Sequence, residues 1–167
     1  MSFTRHVRDY DAIARSLRNI TGARKARMEM VADALWRHLN EKGVSWCGFY
    51  TAEEGDEEMI LGPCRNSPAC SPIGLNGLCG RSWLEKAPIV AVDLSNLGDR
   101  VIKCDPRDLS EVVVPLFDQD GSCWGVLDVD SHERHSFNDS DAKELHKLMI
   151  VCGLSWDGHA ERRVKHL

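Results

Sequence analysis

The stretch SEVVVPLFDQDGSCWGVLDVDS, residues 110–131, decides the fold. Its two halves are rich in β-branched and aromatic side chains, and the intervening DQDG supplies the Asp and Gly that a tight reversal needs. It reads as two antiparallel strands joined by a turn. Alternation along the second strand puts Trp124, Val126, Asp128 and Asp130 on one face and Leu127 and Val129 on the other. The two carboxylates are therefore neighbours at one end of a strand. On a wetted face they are simply solvated. Lining a pocket, they repel one another, and one of them stays protonated at higher pH and can act as a general acid. Glu111, which opens the first strand, either joins that pair or is a surface acid.

A second hairpin lies upstream. VSWCGFYTA (44–52) and MILGP (59–63) read as strands around the acidic turn EEGDEE (53–58). Trp46, Gly48 and Tyr50 share one face of the first of these strands; Cys47 and Phe49 share the other. The glycine between two aromatics leaves either a slot with flat walls or a core face filled from elsewhere. PIVAVDL (88–94) is a further short strand, whereas SNLGDRVIKCDPRDL (95–109) is irregular or weakly helical.

Helices flank these strands. Tyr10, Ile13, Leu17 and Ile20 recur at helical spacing. A second helix begins near Ala26 and lines Met28, Val31, Leu35 and Leu39 on one face, with Gly43 where a stop belongs. GLCGRSWLEK suits a short helix starting near Gly77. The last helix opens at FNDSD, with Asn138 as N-cap and Asp141 three residues on, and carries Leu145, Leu148, Met149 and Cys152 on its apolar face. The expected organisation is one α+β domain over 1–167: a helical segment 5–42, a mainly antiparallel sheet with its loops over 44–131, and a C-terminal helix 138–160.

Composition narrows the function. The chain has 167 residues, 43% hydrophobic and 28% charged, enough for a core that needs no staples. A net charge of −5 argues against a general grip on nucleic acid, and the basic runs RKAR and ERRVKHL sit in helix-like sequence as solvated faces. MSFTRHVRDYDAIAR has no apolar segment of a secretory leader, and no run approaches a membrane span, so a cytoplasmic setting with reduced thiols is expected.

The seven cysteines carry the strongest chemical signal. No CxxC is present, and the spacings of Cys64, Cys70, Cys79 and Cys104 fit no usual zinc pattern. Cys47, Cys123 and Cys152 fall inside strand or helix patterns as small buried hydrophobes. The other four lie in loops or near a helix start, where a thiol can be exposed and its pKa lowered; Lys103 and Arg107 flank Cys104 and favour thiolate there. Loop thiols that can approach one another suit a cycle of attack, sulfenic acid and disulfide. His132 and His135, in SHERHSF, read as a surface turn.

SWCGFY, LGP…PAC, GLCG, KCD, SEVVVPLF and GVLDVDS…F occur in this order across residues 45–137. Together they resemble the free methionine-(R)-sulfoxide reductases, which are built on a GAF domain. The resemblance implies an oxidoreductase that reduces free L-methionine (R)-sulfoxide to methionine. It assigns Cys104 as nucleophile, Cys70 as main resolving cysteine and Cys79 as a third redox cysteine. Trp46 and Tyr50 match the aromatics that hold the methyl-sulfoxide end. Glu111, Asp128 and Asp130 match the acids that bind substrate or supply the proton. It further implies an external dithiol such as thioredoxin as reductant, no metal or organic cofactor, and a homodimer. The chain departs from the pattern in three places: CSPIGLNGLC is one residue short, GDRVIKC replaces a GHIAC-like segment, and Cys64 stands where an aromatic is usual. Two rival classes are a non-catalytic GAF module binding a small ligand and a cysteine switch sensing peroxide. The first needs no matched thiols, and the second needs no aromatic and carboxylate set.

Overall fold

The computed structural model describes residue 3 and residues 5–159 and 163–167. Its elements follow the order α1 (Tyr10–Leu17), α2 (Arg24–Leu39), β1 (Trp46–Thr51), β2 (Glu58–Arg65), β3 (Ile73–Gly74), α3 (Leu78–Glu85), β4 (Ile89–Ala91), β5 (Ser110–Phe117), β6 (Cys123–Ser131), α4 (Asp139–Val151) and β7 (Lys165–His166). Two short 3-10 turns, Leu94–Asn96 and Gly98–Arg100, fill the irregular stretch before β5.

The strands form one seven-stranded sheet in the order β3-β2-β1-β6-β5-β4-β7. Every described pairing is antiparallel except β4 with β7. This is the expected α+β class. The two predicted hairpins, β1–β2 and β5–β6, meet along β1 and β6 and make the centre of the sheet.

Strand alternation gives the sheet two apolar faces. On one, Cys47, Phe49, Val114, Leu127 and Val129 pack against α1, α2 and α4 through Ile13, Leu35, Leu145 and Met149. Each such side chain, once fully buried, contributes about 1.5–3 kcal/mol. On the other, Trp46, Tyr50, Val113 and Val126 meet α3 through Leu78, Cys79 and Trp83, with loops closing over them. Helix α4 starts as its sequence predicts: the Asn138 side chain accepts from Ser140 N and Asp141 N, and Asp141 Oδ2 accepts from Asn138 N at 2.9 Å.

Three elements of the fold depart from the sequence reading. Trp124 does not share a face with Asp128 and Asp130. The β5–β6 register shifts between Leu116 and Phe117, which pair with Gly125 and Cys123, so Trp124 is the extra residue of a bulge. Its indole turns to the helical face, donates from Nε1 to Leu154 O at 3.1 Å, and lies 4.3 Å under the Arg24 guanidinium. Helix α4 ends at Val151, short of 160. Gly153, at φ +69°, takes the left-handed turn, and Leu154 N folds back onto Met149 O at 2.8 Å. Third, Lys165 and His166 are not helical; they pair with Ile89 and Val90 as an edge strand.

Candidate active site

Three strands place the acids. In register, Asp130 faces Trp46 on β1 and Glu111 on β5, while Asp128 faces Gly48 and Val113. Cross-strand neighbours on one face are close enough to interact directly. The pocket reading of the acid pair therefore holds, and Glu111 belongs with it. Glu111 and Asp128 are buried, and Asp130 opens onto a small cavity of ≈ 30 Å³ that all three line together with Trp46, Tyr50, Cys79 and Cys104.

Burial raises the pKa of each carboxyl. Asp128 is pushed up to about 6, offset in part by hydrogen bonding from Glu111 and Cys79. Glu111 and Asp130 are held well above the ordinary range, by burial first and then by the charge of Asp128. All three carboxyls are thus shifted in the direction that holds a proton to higher pH than an ordinary carboxyl.

The aromatic pair is arranged differently from two walls around an empty slot. The ring centroids of Trp46 and Tyr50 are 6.0 Å apart with planes tilted by 32°. A Cβ at Gly48 would sit 2.6 Å from Cη2 of the Trp46 indole and 2.5 Å from Cys64 Cβ. The glycine thus gives room for the indole to lie across its own strand, with Cys64, opposite on β2, as the other neighbour. Two buried polar atoms facing this region have no hydrogen-bond partner: Trp46 Nε1, a donor, and Asp128 Oδ1, an acceptor.

The thiols divide into two kinds. Cys70, in the loop before β3, and Cys104, in the loop before β5, are joined in a disulfide with Cα atoms 5.5 Å apart. Cys79 is not an exposed loop thiol. It is the second residue of α3, 5% exposed, with Sγ donating to Glu111 Oε1 at 4.0 Å. Burial, then the charges of Asp128 and Glu111, raise its pKa far above the ordinary thiol value. Cys47 and Cys152 are buried as expected, each pushed up to about 12, whereas Cys123 is half-buried. Arg107 does not serve Cys104: its guanidinium binds Asp105 at 2.8 and 2.9 Å, which leaves Lys103 as the cation lining the cavity.

Asp108 is a lining residue that the sequence reading did not single out. It accepts from Ser45 Oγ at 3.1 Å, and burial pushes it up to about 6. Its position in an irregular loop gives no parity from which a face can be read. His132 is also more than a surface turn, since its Nε2 lies 3.1 Å from Asp105 Oδ2 and 3.5 Å from Asp108 Oδ1.

Known proteins share this arrangement's frame. The profile of the GAF domain family matches residues 24–154. Protein YtsP of Bacillus subtilis is 33% identical over 142 residues, covering 83% of this chain and 85% of that protein. The free methionine-R-sulfoxide reductase of Saccharomyces cerevisiae is 34% identical over 114 residues, which are 67% of this chain and 63% of the yeast protein. Among solved structures, the free methionine-R-sulfoxide reductase of Neisseria meningitidis in complex with its substrate superposes with a TM-score of 0.75 at 29% identity, covering 90% of this chain and 92% of that one. With the matching strands side by side in one sheet and the matching cysteines in the loops and helix beside it, the chain belongs to the GAF-domain family of free methionine-R-sulfoxide reductases.

Proposed function

We propose that this protein reduces free L-methionine (R)-sulfoxide to L-methionine through a sulfenic acid on Cys104 and a disulfide with Cys70. The observation that carries the reading is that Cys104 lines the same small cavity as the Trp46–Tyr50 pair and the three acids. A sulfoxide sulfur becomes electrophilic when its oxygen is protonated or firmly hydrogen-bonded. The protonated member of the Glu111, Asp128 and Asp130 group supplies that proton, and the unpartnered Trp46 Nε1–H is a further donor. Ionised carboxylate suits the ammonium group of an amino acid, and the aromatic faces suit a polarised S-methyl group.

The steps balance without a metal or organic cofactor. Cys104 thiolate attacks the sulfur of the sulfoxide; with a proton from the acids, the oxygen passes to Cys104 as sulfenic acid and methionine leaves. The Cys70 thiol then attacks that sulfenic acid, forming the disulfide and releasing water. A thioredoxin-class dithiol of a reducing, cytoplasmic setting returns both thiols. Cys79, buried against Glu111, serves as a second resolving thiol only if its helix start moves. With the disulfide closed, a cavity of ≈ 30 Å³ has room for about two water molecules. The loops bearing Cys70 and Cys104 must therefore part before an amino acid enters. A purely ligand-sensing domain has no use for a thiol pair that closes over its acids.

Incubation with racemic free methionine sulfoxide and dithiothreitol, followed by resolution of the remaining diastereomers, tests this. Selective loss of the (R) form with appearance of methionine is expected. Persistence of both forms, with the thiols shown to be reduced, sinks the proposal.

A further inference from the structure

Cys79 Sγ, a carboxylate oxygen of Glu111 and one of Asp128 all lie within 4.8 Å of one another. The three side chains are buried and come from α3, β5 and β6. Asp128 is 6% exposed and lines this cavity; hydrogen bonding from Glu111 and Cys79 to its carboxyl leaves Oδ1 without a partner among the described residues. A buried acceptor with no partner in a lined cavity points to a ligand that supplies positive charge. With the Cys70–Cys104 disulfide closed, the cavity of ≈ 30 Å³ excludes an amino acid but holds an ion and a water.

We propose that this cavity binds one zinc-class divalent cation through Cys79, Glu111 and Asp128, and that the ion excludes substrate. The donor set selects the metal. One thiolate with two carboxylates suits zinc or a neighbouring transition ion, whereas magnesium and calcium take oxygen ligands alone. A tetrahedral zinc site has Zn–S of about 2.3 Å and Zn–O of about 2.0–2.2 Å, so the ligand atoms need to close in by about 1 Å at the widest pair. Asp130, which lines the same cavity, or a water would complete the shell. Binding replaces the protons on these groups by the ion and involves no electron transfer. The cation and the ammonium group of a substrate compete for the same carboxylates; only this inhibitory consequence rests on the reductase reading.

The test uses the full chain with Cys70 and Cys104 oxidised, verified by counting free thiols. Zn²⁺ alone is titrated against a chromophoric chelator, and Co²⁺ is added separately to look for thiolate-to-metal charge-transfer absorption. One ion per chain with that absorption is expected. Cys79→Ser should abolish the band and weaken binding about 100-fold or more, and Glu111→Gln should weaken it at least about tenfold while keeping the band. Cys64→Ser and His132→Asn should change neither, the latter controlling for the Asp105, Asp108 and His132 group. No binding by the parent protein, equal binding by Cys79→Ser, or loss of binding in His132→Asn overturns the proposal. Because no turnover is measured, a protein that binds zinc yet reduces no sulfoxide refutes the enzymatic reading alone.

Discussion

The hydroxyl of Tyr50 donates a 2.9 Å hydrogen bond to the main-chain carbonyl of Cys70. One wall of the cavity therefore holds the loop that carries the disulfide partner of Cys104. The bond exists in the disulfide-closed state, where it helps keep Cys70 beside Cys104. Tyr50→Phe retains the ring and removes the latch. A hydrogen bond worth ~1 kcal/mol corresponds to about a fivefold change in the resolving rate. We expect the first methionine to form at a near-normal rate and disulfide closure to slow by about that factor. Quenched-flow counting of free thiols reads it directly, and an unchanged closure rate would show that the latch does not matter.

The disulfide also ranks the cysteine variants. Cys104→Ser should abolish methionine formation, since no other described thiol that lines the cavity is free of burial against a carboxylate. Cys70→Ser should still form the first methionine on each chain but recycle poorly with a thioredoxin-class reductant, which acts on the intramolecular disulfide. Cys79→Ser should impair recycling less, because Cys79 lies in a helix and Cys70 already reaches Cys104. Single-turnover yield and steady-state rate separate the three. Full steady-state turnover by Cys104→Ser would remove it as nucleophile.

Strand parity made much of this site legible in the sequence. It put Trp46 with Tyr50 and Asp128 with Asp130 on common faces of their own strands, and the uninterrupted register from Trp46–Asp130 to Thr51–Gly125 then brings the two pairs onto one face of the sheet. Parity failed at Trp124, where a bulge adds one residue and inverts the assignment beyond it; Gly125 beside it is the mark of the irregularity that a reading by alternation alone passes over. The Lys165–His166 strand was hidden because two residues carry no periodic signal, and its pairing depends on the exposed edge of β4. The burial of Cys79 was equally unreadable: a short helix start looks alike whether it faces water or a sheet. Asp108 and His132 meet only through tertiary closure of loops.

Gly48 offers a structural test of the aromatic floor. An added methyl would meet Cys64 Cβ at 2.5 Å and the Trp46 indole at 2.6 Å, and neither neighbour is the free end of a flexible chain. Gly48→Ala should cost about 1–3 kcal/mol of stability as the indole is displaced. The displaced ring should also raise KM for the sulfoxide more than it lowers kcat. Adding Cys64→Gly clears one of the two contacts, so the double variant should recover part of the stability. Denaturant midpoints for the parent, single and double variants decide it; additive losses would mean that Cys64 is not the obstacle.

Stability should depend on pH through the carboxyls that line the cavity. Asp128 is pushed up to about 6 from an ordinary 3.8, chiefly by burial. Between these values the folded chain holds a proton that the unfolded chain has released, so stability falls as pH rises through this window. The contribution is complete below the unfolded value and lost above the folded one, the reverse of a salt-bridged aspartate. Glu111 and Asp130, shifted in the same direction, extend the decline upward. Asp128→Asn carries no charge to bury. It should therefore raise stability at pH 7.5 by ~1–3 kcal/mol, leave it nearly unchanged at pH 4, and flatten the slope between, while turnover drops sharply. Urea unfolding at these two pH values, with the disulfide closed, measures the effect. A variant that keeps the parent's full pH slope would show that Asp128 is ionised at little cost in the folded protein, and the acid role would then pass to Glu111 or Asp130.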